Sequence, residues 1–275
     1  VKLQSVITAL KYSILVIGMI LILIPMYLTV TIALKSPAEL AQSFFSLPAA
    51  LNLDNFKEVI HKAGFWKYLF NSIMITVLSV SIMITVIPMV SYAVSRNESK
   101  RYYKVVYFLL LAGIFVPFQA IMLPTFKHLS DLHLLNHSGL LLLYVSFSLG
   151  QGVFMGVGFL KSVPLELDEA AKIDGCGVWL TFIRIIYPLM LPVLVTMLII
   201  NSLWVWNDFQ LPLIVLNKSS DYWTLPLFIY NFKSTYTFNV NLAFAGFLLT
   251  MLPIIALYAF VQRYIIGGLT QGAIK

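Results

Sequence analysis

Apolar residues run through the chain in six long blocks separated by polar connections: Tyr12–Leu34, Leu69–Val94, Val105–Phe126, His137–Leu160, Leu189–Val215 and Val240–Ile266. Each is near or above the ~20 residues a helix needs to cross a hydrocarbon layer. None alternates apolar and polar positions with a period of two, and all are too long for barrel strands. The pattern predicts an all-α, polytopic membrane protein with six transmembrane helices, built as a single transmembrane domain over residues 1–275. The first block has about 23 residues and no small-residue cleavage site after it, so it reads as an uncleaved span. Pro25, Pro88, Pro117, Pro192 and Pro253 lie inside or near the ends of blocks. Prolines at such places predict kinks whose freed carbonyls are satisfied by neighbouring helices.

Three connections exceed a simple turn. The segments of about residues 35–68 and 217–239 fall on one side of the membrane, and about 161–188 falls on the other. Within the first, "LNLDNFKEVI" admits either a short helix lying on the membrane or a loop cap. Lys and Arg set the orientation. With the N-terminus inside, the inner segments hold Lys2, Lys11, Arg96, Lys100, Arg101, Lys104, Lys161, Lys172, Arg184, Arg263 and Lys275. The outer segments hold Lys35, Lys57, Lys62, Lys67, Lys127, Lys218 and Lys233. The excess, with a dense inner cluster in "RNESKRYYK", predicts that both termini and the 161–188 loop are cytoplasmic.

Composition agrees. The chain is 60% hydrophobic and only 11% charged, against about 25% charged in soluble domains. The net charge of +7 reads as a topology signal, because the basic residues form no stripe interleaved with aromatics. A single cysteine, Cys176, excludes an internal disulfide and a cysteine metal cluster. His61, His128, His133 and His137 show no ligand spacing on one helix face. No Ser/His/Asp or Cys/His arrangement suggests covalent catalysis, and no Gly-x-x-x-x-Gly-Lys-Ser/Thr loop is present to cradle nucleotide phosphates. No enzyme activity is expected of the chain itself, and no metal or cofactor.

The segment "KSVPLELDEAAKIDGCG" stands out because a short turn would join the two blocks as well. It reads as a helix of about 11 residues, roughly 16 Å long. Ser162 is placed near the N-cap, Pro164 in the first turn, and Gly175 at the left-handed C-cap. Glu166, Asp168 and Glu169 sit where the helix dipole favours negative charge. At 100° per residue, Leu167, Ala170, Ala171 and Asp174 share one side, and Asp168, Glu169 and Lys172 another. The residues by themselves admit a docking helix for a basic partner or an interfacial helix that closes a loop.

"EAAKIDGCGVWLTFIRIIYPLMLP" resembles the EAA loop of ABC importer permeases. Glu169, Ala170, Ala171 and Gly175 match its core, Ile185 follows ten positions after that glycine, and Pro188 and Pro192 come near the next span. Cys176 departs from the usual Ala. "WNDFQLPLIVL" (Trp206–Leu216) and "QRYIIGGLTQGAIK" (Gln262–Lys275) are similar to the carbohydrate, maltose-type group, and in particular to its shorter second permease subunit. The resemblance covers nearly the whole chain. It implies the type I ABC importer permease fold, a bacterial plasma-membrane location and a sugar or oligosaccharide cargo. It also implies three kinds of partner: a second homologous permease, two cytoplasmic ATPase subunits that carry ATP and Mg, and an extracytoplasmic sugar-binding protein. It makes Leu167, Glu169, Ala170, Ala171, Asp174 and Gly175 the ATPase-coupling residues. An ABC permease for a non-sugar solute is the alternative; a secondary transporter or channel would need no docking helix.

Polar groups inside the bilayer tend to face a cavity or a partner. The fifth block carries Asn201, Trp204, Trp206, Asn207, Asp208 and Gln210, where rings beside amides and a carboxylate suit a sugar. The same residues also suit an interfacial anchor, helix–helix hydrogen bonds or a helix cap. Gln119 and Gln151 are further candidates. Gly152-x-x-x-Gly156 predicts close helix packing.

Overall fold

The computed structural model describes the backbone of residues 2–62, 64–235 and 240–273, and the side chains of residues 7–8, 10–62, 64–230 and 240–260. The described residues are helical with no strand. Helices α1 (Lys2–Leu34), α2 (Pro37–Gln42) and α3 (Asp54–His61) come first, then the long α4 (Phe65–Arg96). Next are α5 (Arg101–Ile114), α6 (Phe118–Asp131), α7 (His137–Leu160) and the short α8 (Glu166–Ile173). A run from α9 (Val178–Thr181) through a π-turn at Phe182–Ile186 to α10 (Tyr187–Leu189) leads into α11 (Leu191–Asn207). Then come α12 (Gln210–Val215), α13 (Leu225–Thr235) and α14 (Val240–Ala273).

Among the described residues, four helical stretches are long and apolar enough to cross a membrane: Leu10–Leu34, Phe65–Arg96, His137–Leu160 and Val240–Phe260. Two bent pairs, α5 with α6 and the 178–189 run with α11, bring the number to six. The third block, expected as a continuous span, is therefore broken, and the fifth is bent at its start. α6 turns 107° from α5, with Pro117 at its N-cap, and α11 turns 74° from the run before it, with Pro192 in its first turn. Proline lacks an amide donor and fixes φ, so the ladder ends there unless the surroundings hold it together. Pro25, Pro88 and Pro253 lie inside unbroken helices. The fifth block also ends earlier than expected, since Asp208 is extended and α12 is a separate helix. α14 runs beyond the expected Ile266.

Two compact units are distinguished, Val1–Trp66 with Phe228–Pro253 and Lys67–Leu227 with Ile254–Lys275. In the first, the side chains of α1 are exposed around most of its circumference, including Leu15, Leu21 and Ile22. Such a helix is stable only in an apolar solvent. The C-terminal carbonyls of α1, left without intrahelical partners, are met by two buried amides. Asn55 Nδ2 donates to Ala33 O and Lys35 O, both at 2.8 Å. Asn241 Nδ2 donates to Ile32 O (3.0 Å) and Lys35 O (2.8 Å). Lys35 is fully buried, its Nζ bonded to Ser43 O at 2.9 Å. The "LNLDNFKEVI" segment does contain a helix, α3, and α2 opens on a capping box between Ser36 and Glu39.

The second unit packs around α7, with Leu140, Tyr144, Val153 and Leu160 buried beside Met83, Ile87, Ile186 and Met190. Gly152 and Gly156 face α4. A Cβ on Gly152 would lie 2.6 Å from Ile87 Cδ1, and one on Gly156 would strike the Ser91 side chain. The glycine spacing therefore serves packing within the chain. The two ends of this unit are distinct. At one, α4 ends at Arg96 and α7 at Leu160, and Lys161 pairs with Glu98 at 3.2 Å. At the other, Lys67 pairs with Asp221, Asn71 Nδ2 donates to Trp223 O at 2.9 Å, and His137 Nε2 meets Tyr222 O at 2.8 Å.

Candidate functional site

The helix of about 11 residues expected between Ser162 and Gly175 is shorter than its sequence signals suggest, with eight residues. α8 begins at Glu166, without a side-chain cap. Ser162 Oγ donates to Phe159 O of the preceding helix at 2.7 Å, and it lies four residues before the start of α8, too far back to be its N-cap. The C-terminus follows the expectation closely. Gly175 has φ +78°, its N–H bonds Lys172 O at 3.1 Å, and the Cys176 N–H bonds Ala171 O at 2.9 Å. These two bonds form a Schellman motif, which stops the helix on a residue in the left-handed region. Glu166, Asp168 and Glu169 occupy the first turn and Lys172 the last, each on the side the dipole favours.

The faces of α8 differ from the reading by charge. Ala171 is buried, at 3% exposure, and Asp168 turns inward beside it. Asp168 Oδ2 pairs with Arg96 Nη2 at 2.9 Å, and its Oδ1 accepts from the Tyr92 hydroxyl. Asp168 is thus tied to the end of α4 and does not stand with Glu169 and Lys172 on an open acidic side. Ala171 presses on the protein's own body. Glu166, Glu169, Ala170 and Ile173 make the outward stripe, at the i, i+3, i+4, i+7 spacing of one helix face. Leu167, Lys172 and Asp174 flank it and are exposed.

Ile173 is 85% exposed, with Val178 at 72% and Trp179 at 66% just beyond the glycines. Residue-level reasoning missed Ile173, although its position seven residues after Glu166 places it on the outward face. Covering one such side chain contributes about 1.5–3 kcal/mol. The site therefore offers a short rigid helix, carboxylates around small and apolar residues, and a hydrophobic flank.

The fifth-block residues divide into two groups. Asn201 is buried and its Nδ2 bonds Met197 O of its own helix at 2.8 Å. Trp206 is buried at 5% exposure. Asp208 accepts from Tyr144 Oη at 3.0 Å and from the N–H of Gln210 at 3.0 Å and Leu211 at 3.3 Å, so it caps α12. Trp204, Asn207 and Gln210 are exposed. Trp204 packs edge-on to Tyr144, with centroids 5.3 Å apart, and Gln210 Oε1 accepts from Gln119 Nε2 at 3.3 Å. Asn207 Nδ2 bonds Leu203 O at 2.8 Å. Gln151 is exposed on α7. Among the described residues, no group of three His, Cys, Asp or Glu side chains is placed to hold a metal. The side chains of Gln262–Lys275, which carried part of the sequence resemblance, lie outside the described residues.

The described residues, helical with four apolar spans and two bent pairs that bring the number to as many as six, are those of a multi-pass membrane protein. The family described as "Binding-protein-dependent transport system inner membrane component" matches residues 56–271, and the chain belongs to it. It is 44% identical over 267 residues to the multiple sugar-binding transport system permease protein MsmG of Streptococcus mutans, covering 96% of each chain. It is 35% identical to a probable starch degradation products transport system permease protein, AmyC, of Thermoanaerobacterium thermosulfurigenes, over 96% of this chain and 97% of that one. A crystal structure of a bacterial ABC transporter involved in import of the acidic polysaccharide alginate superposes with a TM-score of 0.81 at 23% identity, covering 94% of this chain and 96% of that one. That likeness supports the ABC importer permease fold.

Proposed function

We propose that this chain is the membrane-spanning permease subunit of an ATP-driven importer for a sugar or oligosaccharide, working with a second permease, two ATPase subunits and an extracytoplasmic binding protein. The names of its relatives, permease proteins of a multiple sugar-binding and a probable starch degradation products transport system, support the cargo class. The observation that carries the mechanism is α8: a Schellman-capped helix whose outward stripe leaves Ile173 exposed beside Glu169 and Ala170. α8 docks on an ATPase, where ATP and Mg belong, and transmits closure of that ATPase to the spans. Glu169 makes the polar contact, with Leu167 and Asp174 at its margins. Ala170 allows close approach, Ala171 seats the helix on the permease body, and Gly175 ends it.

The α8 end faces the cytoplasm. Arg96, Lys100, Arg101, Lys104, Lys161 and Lys172 cluster at that end, which is the side favoured for basic residues. Both termini share that side. The sugar passes along the exposed end of α11 and the start of α12, where Trp204, Asn207 and Gln210 offer a ring and two amides. Asn201, Trp206 and Asp208 hold that stretch in place from behind.

The test is co-purification followed by reconstitution. The wild-type chain is expected to bring an ATPase and a second permease with it, and the binding protein loaded with sugar is expected to stimulate ATP hydrolysis. Ile173→Asp is expected to lower ATPase retention by about tenfold or more, the loss of one buried side chain. A lone homomer that transports sugar without an ATPase would overturn the reading.

A further inference from the structure

α8 is joined to α7 by only five residues, Lys161–Leu165, and to α9 by a turn at the glycines. A helix held only by such links pivots when pushed, and little of the push reaches the spans. Packing does not prevent this. The buried Ala171 seats the helix through a single methyl, which sets no direction. A cavity of about 540 Å³ lies alongside, lined by Met89, Tyr103, Trp179 and Phe182 among others, and leaves α8 room to swing.

Among the described residues, an ion pair from Arg96 and a hydrogen bond from Tyr92 span the gap. Arg96 reaches three segments at once. Nη2 pairs with Asp168 on α8 at 2.9 Å. Nη1 and Nη2 both lie 3.3 Å from Val163 O in the link, and Nη1 lies 3.4 Å from Leu160 O at the end of α7. Tyr92, one turn earlier on α4, donates to the other oxygen of Asp168. The Arg96 and Asp168 side chains are only 12% and 19% exposed, so solvent ions screen the pair little. The planar fork takes its direction from its hydrogen bonds to Val163 O and Leu160 O, and Asp168 meets it as an ion pair whose carboxylate the Tyr92 hydroxyl orients.

We propose that Arg96 and Asp168 are positioning residues that latch α8 to the ends of α4 and α7, so that a displacement of α8 moves these spans instead of flexing the loop. This rests on the docking role given to α8. Without the latch, the ATPase still binds and turns over, while the spans no longer follow it.

The experiment uses the complete complex in proteoliposomes and reads sugar transported per ATP hydrolysed, with subunit composition measured in parallel. Asp168→Asn and Arg96→Met are expected to lower the ratio by about tenfold, within the range of site-to-site coupling. Asp168→Glu, which keeps the charge, is expected to restore most of it. Complexes of normal composition with an unchanged ratio overturn the latch. So does a loss of assembly with a normal ratio in the fraction that assembles, which marks a purely structural pair. If Asp168→Asn yields no complex, Arg96→Lys carries the test, because it keeps the charge and loses the fork; an unchanged ratio there also overturns the latch. Absence of ATP-dependent sugar uptake by the wild-type complex removes the docking role itself, an outcome distinct from wild-type uptake with insensitive variants.

Discussion

Gly175 allows a sharp test of how α8 is terminated, because two glycines lie close together in different conformations. Gly175 has φ +78°, and a Cβ built on it meets nothing within 4 Å. Gly177 also has open space, with φ −74° and ψ 163°, an extended conformation any residue adopts. Alanine at Gly175 therefore costs backbone energy alone, about 1–2 kcal/mol for the left-handed region. Alanine at Gly177 carries no such cost and stabilises by about 0.4–1 kcal/mol, through the unfolded chain. The two changes are the same in chemistry and opposite in sign. The strain falls on the Gly175 and Cys176 amides, whose bonds to Lys172 O and Ala171 O close the helix. Hydrogen exchange of the 166–177 segment in detergent is the assay. Gly175→Ala is expected to speed opening by about 5- to 30-fold, at 1.4 kcal/mol per factor of ten. Gly177→Ala should leave exchange unchanged or slow it, and Gly175→Asn should fall between, since asparagine enters this region more easily. Exchange in Gly175→Ala within twofold of wild type, or an equal effect at Gly177, would refute the Schellman assignment.

Two further outcomes follow from the first unit. Asn241→Ala removes one of two donors from Ile32 O and from Lys35 O and should lower stability by about 1–3 kcal/mol, two hydrogen bonds, read as a reduced unfolding midpoint in detergent; no shift would show that the Lys35 N–H and Asn55 satisfy these carbonyls by themselves. The Glu39 carboxyl is held below its ordinary range, first by the Ser36 N–H and then by the Ala49 N–H and the Ser36 hydroxyl. A depressed carboxyl stabilises above its unfolded pKa and loses that contribution as pH falls through the folded value. The Ser36 amide should therefore stay protected at neutral pH and lose protection only below the ordinary carboxylate range; Glu39→Gln should flatten that acid dependence.

Length and hydrophobicity made four spans legible, because α1, α4, α7 and α14 stay helical through their prolines or carry none. The same rule failed at Pro117 and Asp208, since whether the chain breaks inside an apolar block depends on neighbours that a linear pattern does not show. Gly175 was legible from its place after an acidic, alanine-rich helix, where only glycine enters the left-handed region at low cost. Asp168 was not, because a carboxylate among carboxylates reads as a solvated face. The signal that points to it is Arg96, an ionisable residue at the very end of an apolar block, with Tyr92 one turn behind. Asp208 was legible as a possible cap but not as the acceptor of Tyr144, a pairing that joins residues 64 positions apart.

The corner between α5 and α6 bears on where lipid can lie. A helix of 14 residues rises about 21 Å, while the hydrocarbon layer is about 30 Å thick. Neither arm reaches across alone, and the peptide groups at Phe115 and Val116 stand at the elbow with both side chains uncovered. Acyl chains cannot solvate such backbone. The elbow therefore marks a seam in the annulus, a stretch of perimeter reserved for water or for another polypeptide.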